Sequence, residues 1–453
     1  MKFLPSWMRT WRGDVILRRV MRNSTYMFTS NVISTVLTLV TANLLGVKGF
    51  GVLGIVVSFV SNVNRLLSFR MADVVVKYLG ESLERKEIER AAAAVKFAGL
   101  IETATSIVAY LILVLLAPWG AATFAHDPNT APLFMLYGLS ILGSITAETS
   151  TGVLQVGNHF KSQAWINLAQ SVVTAVLVVV AYLTHAGILA IVVAYLTGKM
   201  ILGLTPVVLS FYYLPRMLGK GWWRTSFSYL PPRRELVRFA LSTNFSGTIN
   251  MVARDSEVLW VGYFFSPLQS GYYKTALAII NLVVMPISPF VGTTYPEITR
   301  AIASRQWARL RSLLRRVSAI ASAWTVAVSF GLALFGQRVL FLPWTVLGRT
   351  FSVYRSEFLP AFPALLILLV GFGITNILYW NRSVLLALGQ ADYPLKVVFF
   401  AMLVKVALAF VLVPQFGYLM EAGLLSAYFL VTVSLIVRRG LGEVRLAEQG
   451  AAL

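Results

Sequence analysis

Long apolar segments recur along nearly the whole chain. A helix of about 20 apolar residues crosses the hydrocarbon core of a membrane, and twelve segments approach or exceed that length. Their bounds are 24–46, 50–79, 96–117, 131–155, 164–184, 187–213, 236–264, 271–298, 313–335, 358–388, 394–413 and 417–437. Only 13% of the residues are charged, about half the fraction in soluble domains. Lipid offers no water to the backbone N–H and C=O groups, so a spanning segment must satisfy them itself, as an α-helix does. The sequence therefore predicts an all-α integral membrane protein with twelve transmembrane helices.

The basic residues predict how these helices are oriented. Of 39 lysines and arginines, 28 fall in the termini and the even-numbered gaps between segments, and four in the odd-numbered gaps. Cytoplasmic loops carry this excess, so both termini are expected in the cytoplasm. The net charge of +21 then reflects topology and contact with membrane lipid headgroups, and no nucleic-acid partner is expected.

Residues 1–21 precede the first long apolar run and contain Trp7, Trp11 and several basic residues. They predict an interfacial arm, although a disordered basic leader remains an alternative. The expected organisation is a six-helix bundle over 22–214, a cytoplasmic linker over 215–235, a second bundle over 236–438 and a cytoplasmic tail over 439–453.

The two predicted bundles are related in sequence. Residues 45–53 align with 265–273, and 81–96 with 301–316, both at an offset of 220. Residues 153–158 align with 385–390 at an offset of 232, which indicates an insertion near 338–357. Parallel repeats of six helices are typical of transporters whose substrate cavity lies between two rocking halves.

Several classes of chemistry are excluded or unsupported. The chain has no cysteine and only three histidines, and no motif for a metal, a nucleotide or a catalytic triad stands in its required context. We therefore expect no metal, no cofactor and no enzyme activity. A membrane glycosyltransferase or glycan polymerase would need a catalytic set or a sizeable soluble domain, and neither is visible.

Five stretches carry a family resemblance. These are RDSEVLWVGYFFSPLQSGYYKTA at 254–276, SFRMADVVVKY at 68–78, YPEI at 295–298, LALGQ at 386–390 and LVPQFG at 412–417. Together they resemble the polysaccharide-transporter family of the multidrug/oligosaccharidyl-lipid/polysaccharide exporter superfamily, which includes O-antigen flippases. The chain departs from the family pattern in its longer outer gap near 338–357 and in the three charges at 254–257.

The resemblance implies a V-shaped, MATE-like fold of two bundles in the cytoplasmic membrane. It further implies translocation of an undecaprenyl-diphosphate-linked glycan for surface polysaccharide such as the O-antigen of lipopolysaccharide. A polysaccharide polymerase and glycosyltransferases would be the partners. A cation-coupled exporter of small molecules, of the multidrug type, is the alternative within the same superfamily.

Cationic side chains inside the segments are the candidates for binding the substrate phosphates, since arginine binds phosphate through a planar fork. They are Arg65, Arg70, Arg254, Lys274, Arg382 and Lys405. Charges at membrane depth usually face a cavity or a partner. We expect Arg65, Arg70 and Arg254 to face one shared cavity, although Arg70 with Asp73, or Arg254 with Glu257, could form an ion pair along one helix.

Acidic side chains in the segments are the candidates for coupling transport to protons or sodium ions. Asp73, Asp255 and Glu257 are the chosen candidates, with Asp255 foremost because it is left facing elsewhere if Glu257 neutralises Arg254. The alternative is that all three only balance nearby arginines. Lys199, Glu102 and Glu148 are further charges inside the segments. Among the charges named here, basic groups outnumber acidic ones by seven to five, which favours an anionic substrate over a cationic one.

Overall fold

The protein is described here by a computed structural model. The structure describes residues 15–69, 71–230, 244–245, 247–346 and 349–450. Arg70, residues 1–14 of the predicted arm, residues 231–235 of the predicted linker and residues 236–243 of the predicted second bundle lie outside these ranges.

The described chain is mainly helical. The α-helices, in chain order, are α1 Val15–Leu67, α2 Ala72–Glu84, α3 Ile88–Phe124, α4 Ala131–Gly143, α5 Ala147–Val156, α6 Phe160–Leu183, α7 Ile188–Leu218, α8 Glu257–Phe264, α9 Pro267–Val284, α10 Ser288–Ala303, α11 Trp307–Gly336, α12 Ala361–Ile377, α13 Asn381–Ala387, α14 Asp392–Phe416 and α15 Tyr418–Gly450. Short 3₁₀ turns lie at Pro128–Thr130, Trp222–Arg224, Phe227–Tyr229 and Ser356–Phe358, and π-helical turns at Met251–Asp255 and Gln337–Phe341.

Nine helical segments within the described residues are long and apolar enough to cross a membrane. The bent pair α9 and α10 makes a tenth if it is one span. Helix α1 covers two of the predicted segments, and its backbone leaves the helical region at Gly46, where φ is 66°. This break coincides with the predicted gap between the first two spans. The apolar, helical character of the chain is confirmed, while twelve spans and cytoplasmic termini stay predictions.

Four predicted spans are interrupted rather than continuous. The breaks fall between Leu67 and Ala72, Gly143 and Ala147, Val284 and Ser288, and Ile377 and Asn381. The first and third breaks are separated by close to 220 residues, and the second and fourth by close to 232 residues. These separations match the offsets found between the sequence repeats. The internal repeat therefore extends from the residues to the places where helices are broken.

The insertion near 338–357 contains the two strands of the described chain. Strands β1 (Trp344–Val346) and β2 (Arg349–Phe351) pair antiparallel, with Trp344 opposite Phe351. The all-α prediction is therefore corrected at this hairpin. A two-stranded hairpin has unpaired edges, which lipid would not tolerate, so it lies between the spans. At its base Tyr354 stacks on Phe341, and burial raises the pKa of the Tyr354 phenol.

Two compact units make up the chain. The first is Val32–Gly271, and the second combines the described residues up to Asn31 with those from Tyr272 onward. The units thus do not divide at the predicted linker over 215–235. The cause is in the first unit, where Asn62 donates to the Ser256 hydroxyl at 2.8 Å and joins α1 to the segment before α8.

A helix crossing in the first unit pairs residues that are equivalent in the repeat. A Cβ on Gly51 would lie 1.8 Å from the Pro267 carbonyl oxygen, and a Cβ on Gly271 would lie 2.2 Å from the Val47 carbonyl oxygen. Residues 51 and 271 are 220 apart, as are 47 and 267. Gly51 therefore contacts Pro267, and Gly271 contacts Val47, which is the residue equivalent to Pro267 in the repeat. The crossing thus has local two-fold symmetry. Both positions require glycine because the backbones touch.

Candidate functional site: a polar cavity in the first unit

A cavity of about 480 Å³ lies within the first unit, which is a size typical of small-molecule sites. Helix α1, helices α3 to α7 and the break between α4 and α5 supply its walls. The lining residues are Val60, Ser61, Asn64, Arg65, Ser68, Glu102, Tyr137, Ser140, Ile141, Ser144, Ala147, Glu148, Thr151, Gln163, Ile166, Asn167, Lys199, Leu202, Gly203 and Pro206. Most of these side chains are polar, in helices that otherwise consist of apolar residues.

The helical repeat explains why the polar side chains converge. Residues three and four apart share a face of a helix, and Asn64 and Arg65 follow Ser61 at that spacing on α1. Gln163 and Asn167 follow it on α6. Each helix thus presents one polar stripe to the cavity and its apolar remainder to neighbours or lipid, an arrangement suited to a substrate with many hydroxyl groups.

Two cations line the cavity. Arg65 and Lys199 lie close enough for their charges to repel. The Lys199 side chain lies inside the protein but is open to solvent, because it faces the cavity. Among the described residues no carboxylate lies within 4 Å of its ammonium group. Two neighbouring cations, one without a carboxylate partner, favour an anionic ligand.

Glu102 has a structural role at the same cavity. Its carboxylate, on α3, accepts hydrogen bonds from the backbone amides of Glu148 at 2.9 Å and Thr149 at 2.8 Å. These amides belong to the first turn of α5, where helical amides lack partners within the helix. Glu102 therefore caps a broken helix from a neighbouring one and positions Glu148 at the cavity.

Asp255 balances two arginines. It accepts a hydrogen bond from Arg65 Nη1 and another from Arg254 Nε, the latter at 3.0 Å. Of the two alternatives for Arg254, the structure shows the pair with the adjacent Asp255 and not the pair with Glu257, which is 1% exposed. The π-helical turn Met251–Asp255 widens the backbone here, which lets neighbouring side chains meet.

The structure brings only part of the predicted cationic set to this cavity. Arg65 lines it, whereas Arg254 is an exposed side chain outside the lining. Arg70 lies outside the described residues, so its part of the shared-cavity prediction stays a prediction. Asp73 is exposed in the first turn of α2.

The remaining candidates lie in the second unit. Lys274 on α9 and Arg382 on α13 are half-buried. Lys405 on α14 is 4% exposed, and its ammonium lies 2.9 Å from the Glu421 carboxylate on α15. Lys405 is thus held in a buried ion pair, whose removal on one side would leave an uncompensated charge. Their binding roles stay predictions.

Some residues of the cavity were missed in the sequence. Asn64, Gln163 and Asn167 were not predicted as site residues because uncharged polar residues in apolar segments are common. In the second unit, the pairing of Lys405 with Glu421 was not predicted either. The spacing of three or four residues between polar side chains was the available signal on α1 and α6. No sequence signal points to the Lys405–Glu421 pair.

Comparison with known proteins then decides the family. The family described as polysaccharide biosynthesis protein matches residues 39–351. The chain belongs to this family. The resemblance drawn from the sequence is thereby confirmed. The inner membrane protein YghQ of Escherichia coli (strain K12) is 25% identical over 300 residues, which are 64% of this chain and 83% of that protein.

Solved structures of transporters share the fold of this family member. An inward-facing multidrug resistance MATE family transporter of the MOP superfamily superposes with a TM-score of 0.72 at 14% identity, covering 93% of this chain and 96% of the other. The lipid II flippase MurJ, in an inward closed conformation, gives 0.71 at 13% identity over 95% and 90%. The protein is therefore a multi-pass membrane protein of the MATE- and MurJ-like fold.

Proposed function

We propose that the protein is a flippase that moves an undecaprenyl-diphosphate-linked oligosaccharide across the cytoplasmic membrane. The cationic pair Arg65 and Lys199 in a polar cavity carries this proposal. Membership of a polysaccharide biosynthesis family supports the substrate class.

The chemistry of such a substrate suits the cavity. A diphosphate needs cationic hydrogen-bond donors, which Arg65 and Lys199 supply. Sugar hydroxyls need amides and hydroxyls, which Asn64, Gln163 and Asn167 supply together with the serines. The polyprenyl tail can stay in lipid while the head crosses by alternating access. No bond is made or broken, so the protein acts as a transporter and not as an enzyme.

Coupling and partners follow from the same proposal. Asp255, Asp73 and Glu257 remain the candidates for carrying a proton or a sodium ion. Asp255 is the strongest, since it lies against a cation of the cavity lining and its charge therefore bears on substrate binding. Glycosyltransferases would supply the lipid-linked substrate, and a polysaccharide polymerase would consume it on the other side.

A cation-coupled exporter of small molecules is the second candidate. Glu148 lines the cavity and could bind an organic cation there. The flippase needs the positive charge of Lys199 in the cavity, whereas the exporter needs the negative charge of Glu148. Removal of Lys199 disables the flippase, whereas removal of Glu148 disables the exporter.

The test is surface glycan in cells that carry the flippase gene with single substitutions. Lys199→Gln should abolish surface glycan and leave the lipid-linked precursor on the cytoplasmic side, with unchanged protein in the membrane. Lys199→Arg should retain export, and Lys161→Gln, an exposed lysine outside the cavity, is the matched control. Normal glycan display in Lys199→Gln together with loss of drug resistance in Glu148→Gln would replace the flippase with the exporter.

A further inference from the structure

Helix α11 in the second unit presents a basic groove. Arg311, Arg315 and Arg316 lie around a shallow surface groove with the small residues Ala308, Ser312 and Ala319. All six side chains are exposed. Small residues between the arginines leave room for a headgroup against the helix, so the guanidinium groups can surround it.

An exposed apolar stripe continues from this groove along the same face of α11. Val326 is 58% exposed and Phe330 is 65% exposed, and both follow Arg315 and Ala319 at the spacing of a helical face. The opposite face carries buried residues such as Leu310 and Leu314, which pack in the core of the unit. Val326 lies about 16 Å along the helix from Arg315, close to the ~15 Å depth of one leaflet, so one acyl chain can reach it.

We propose that this face of α11 is a binding site for an anionic phospholipid of the bilayer. The phosphate binds in the basic groove, and an acyl chain lies on the part of the stripe formed by Ala319 and Val326. Charge complementarity selects the headgroup, since arginine binds phosphate bidentately and basic pockets at helix ends bind anionic lipid. The site shares no residue with the cavity of the first unit and does not depend on the proposed function.

The tail helix adjusts the strength of this site. Arg311 Nη1 donates to Glu448 Oε2 on α15 at 2.7 Å, so one arginine of the groove already binds a carboxylate of the protein. A lipid phosphate competes with Glu448 for Arg311. Neutralising Glu448 should therefore strengthen lipid binding.

Native mass spectrometry of the full chain in detergent tests the site, with phosphatidylglycerol and phosphatidylcholine titrated separately. Phosphatidylglycerol should bind more tightly. Each arginine near an anionic surface is worth about fivefold in affinity, so Arg311→Gln, Arg315→Gln and Arg316→Gln combined should weaken phosphatidylglycerol at least tenfold. Val326→Asn should weaken it, and Glu448→Gln should strengthen it.

The matched control is the triple substitution Arg300→Gln, Arg305→Gln and Arg309→Gln, which removes the same charge from exposed positions outside the groove. It should leave phosphatidylglycerol affinity within about twofold. Equal losses in both triple variants, or equal binding of both phospholipids, would overturn the proposal. Tight binding of a polyprenyl diphosphate at the groove without binding of phosphatidylglycerol would also overturn it and assign the groove to a transport substrate.

Discussion

Lys199 and Arg65 differ in how the protein balances their charge. Arg65 donates to Asp255, while Lys199 has no carboxylate within 4 Å among the described residues. A cation within a membrane span usually faces a cavity or a partner, so Lys199 is the group in the cavity most open to an anionic ligand. Asp255 holds Arg65 at the cavity in the absence of that ligand.

Arg65→Gln should separate function from stability. The Arg65 and Asp255 side chains are 42% and 27% exposed, and exposed ion pairs contribute about 1 kcal/mol or less. We expect loss of surface glycan with little change in thermal unfolding of the purified protein. Arg90→Gln, which breaks an exposed pair with Glu87 outside the cavity, should change neither. A large fall in melting temperature for Arg65→Gln would show a structural role instead.

Broken helices are the feature at the element scale that positions the cavity. The break before α5 turns its first-turn amides toward α3, where Glu102 accepts them. The break before α13 is held by Trp380, whose indole donates to Ser318 at 2.7 Å. Such breaks leave polar backbone in a spanning region, which is tolerated where protein supplies partners.

Glu102→Gln should destabilise the protein. A carboxylate can accept from both amides, whereas a carboxamide offers one oxygen and leaves a buried amide without an acceptor, which costs about 1–3 kcal/mol. The melting temperature should fall by several degrees, measured by fluorescence in detergent. Glu84→Gln, which removes an exposed carboxylate at the end of α2, should melt as the unaltered protein does. Equal melting temperatures for both variants would disprove the capping role.

Gly51→Ala should disrupt the symmetric helix crossing. Its Cβ would lie 1.8 Å from the Pro267 carbonyl oxygen, and overpacking of this kind costs about 1–3 kcal/mol or more. We expect less folded protein in the membrane and a lowered melting temperature. Gly80→Ala is the control, because a Cβ there meets nothing within 4 Å. If Gly51→Ala folds normally, the helices do not approach as closely as described.

The sequence could predict the elements that depend on local pattern and not those that depend on distant contacts. The apolar segments and the gap at Gly46 follow from composition and a glycine. The break between Ile377 and Asn381 lies inside the apolar run 358–388 and depends on partners on other helices, such as Ser318 for Trp380. Glu102 and its amides are separated by 46 residues or more, so the cap could not be read locally.

At the scale of the whole molecule, the repeat and the units follow different boundaries. The sequence repeat places its division near 215–235, while the compact units divide at Gly271. The reason is the segment before α8, whose Ser256 and Asp255 bond to α1. The hairpin of β1 and β2 has no counterpart at the matching position of the first half and accounts for the change of offset from 220 to 232.

The membrane topology can be tested because the chain has no cysteine. Single cysteines at Ser304, in a basic gap, and at Ser352, beside the hairpin, report the two sides. A membrane-impermeant maleimide applied to intact spheroplasts should label Ser352→Cys and spare Ser304→Cys until the membrane is opened. The reverse pattern would invert the orientation, and labelling of both in intact cells would contradict an odd number of crossings between them.

The central claim is that the polar cavity carries a lipid-linked glycan across the membrane by means of Lys199. The most direct measurement is flipping of a polyprenyl-diphosphate oligosaccharide in proteoliposomes, followed by its accessibility to an enzyme added outside. The unaltered protein should expose substrate from the inner leaflet, Lys199→Arg should keep most of that rate, and Lys199→Gln should reduce it at least tenfold. Equal rates for Lys199→Gln and the unaltered protein would contradict the account.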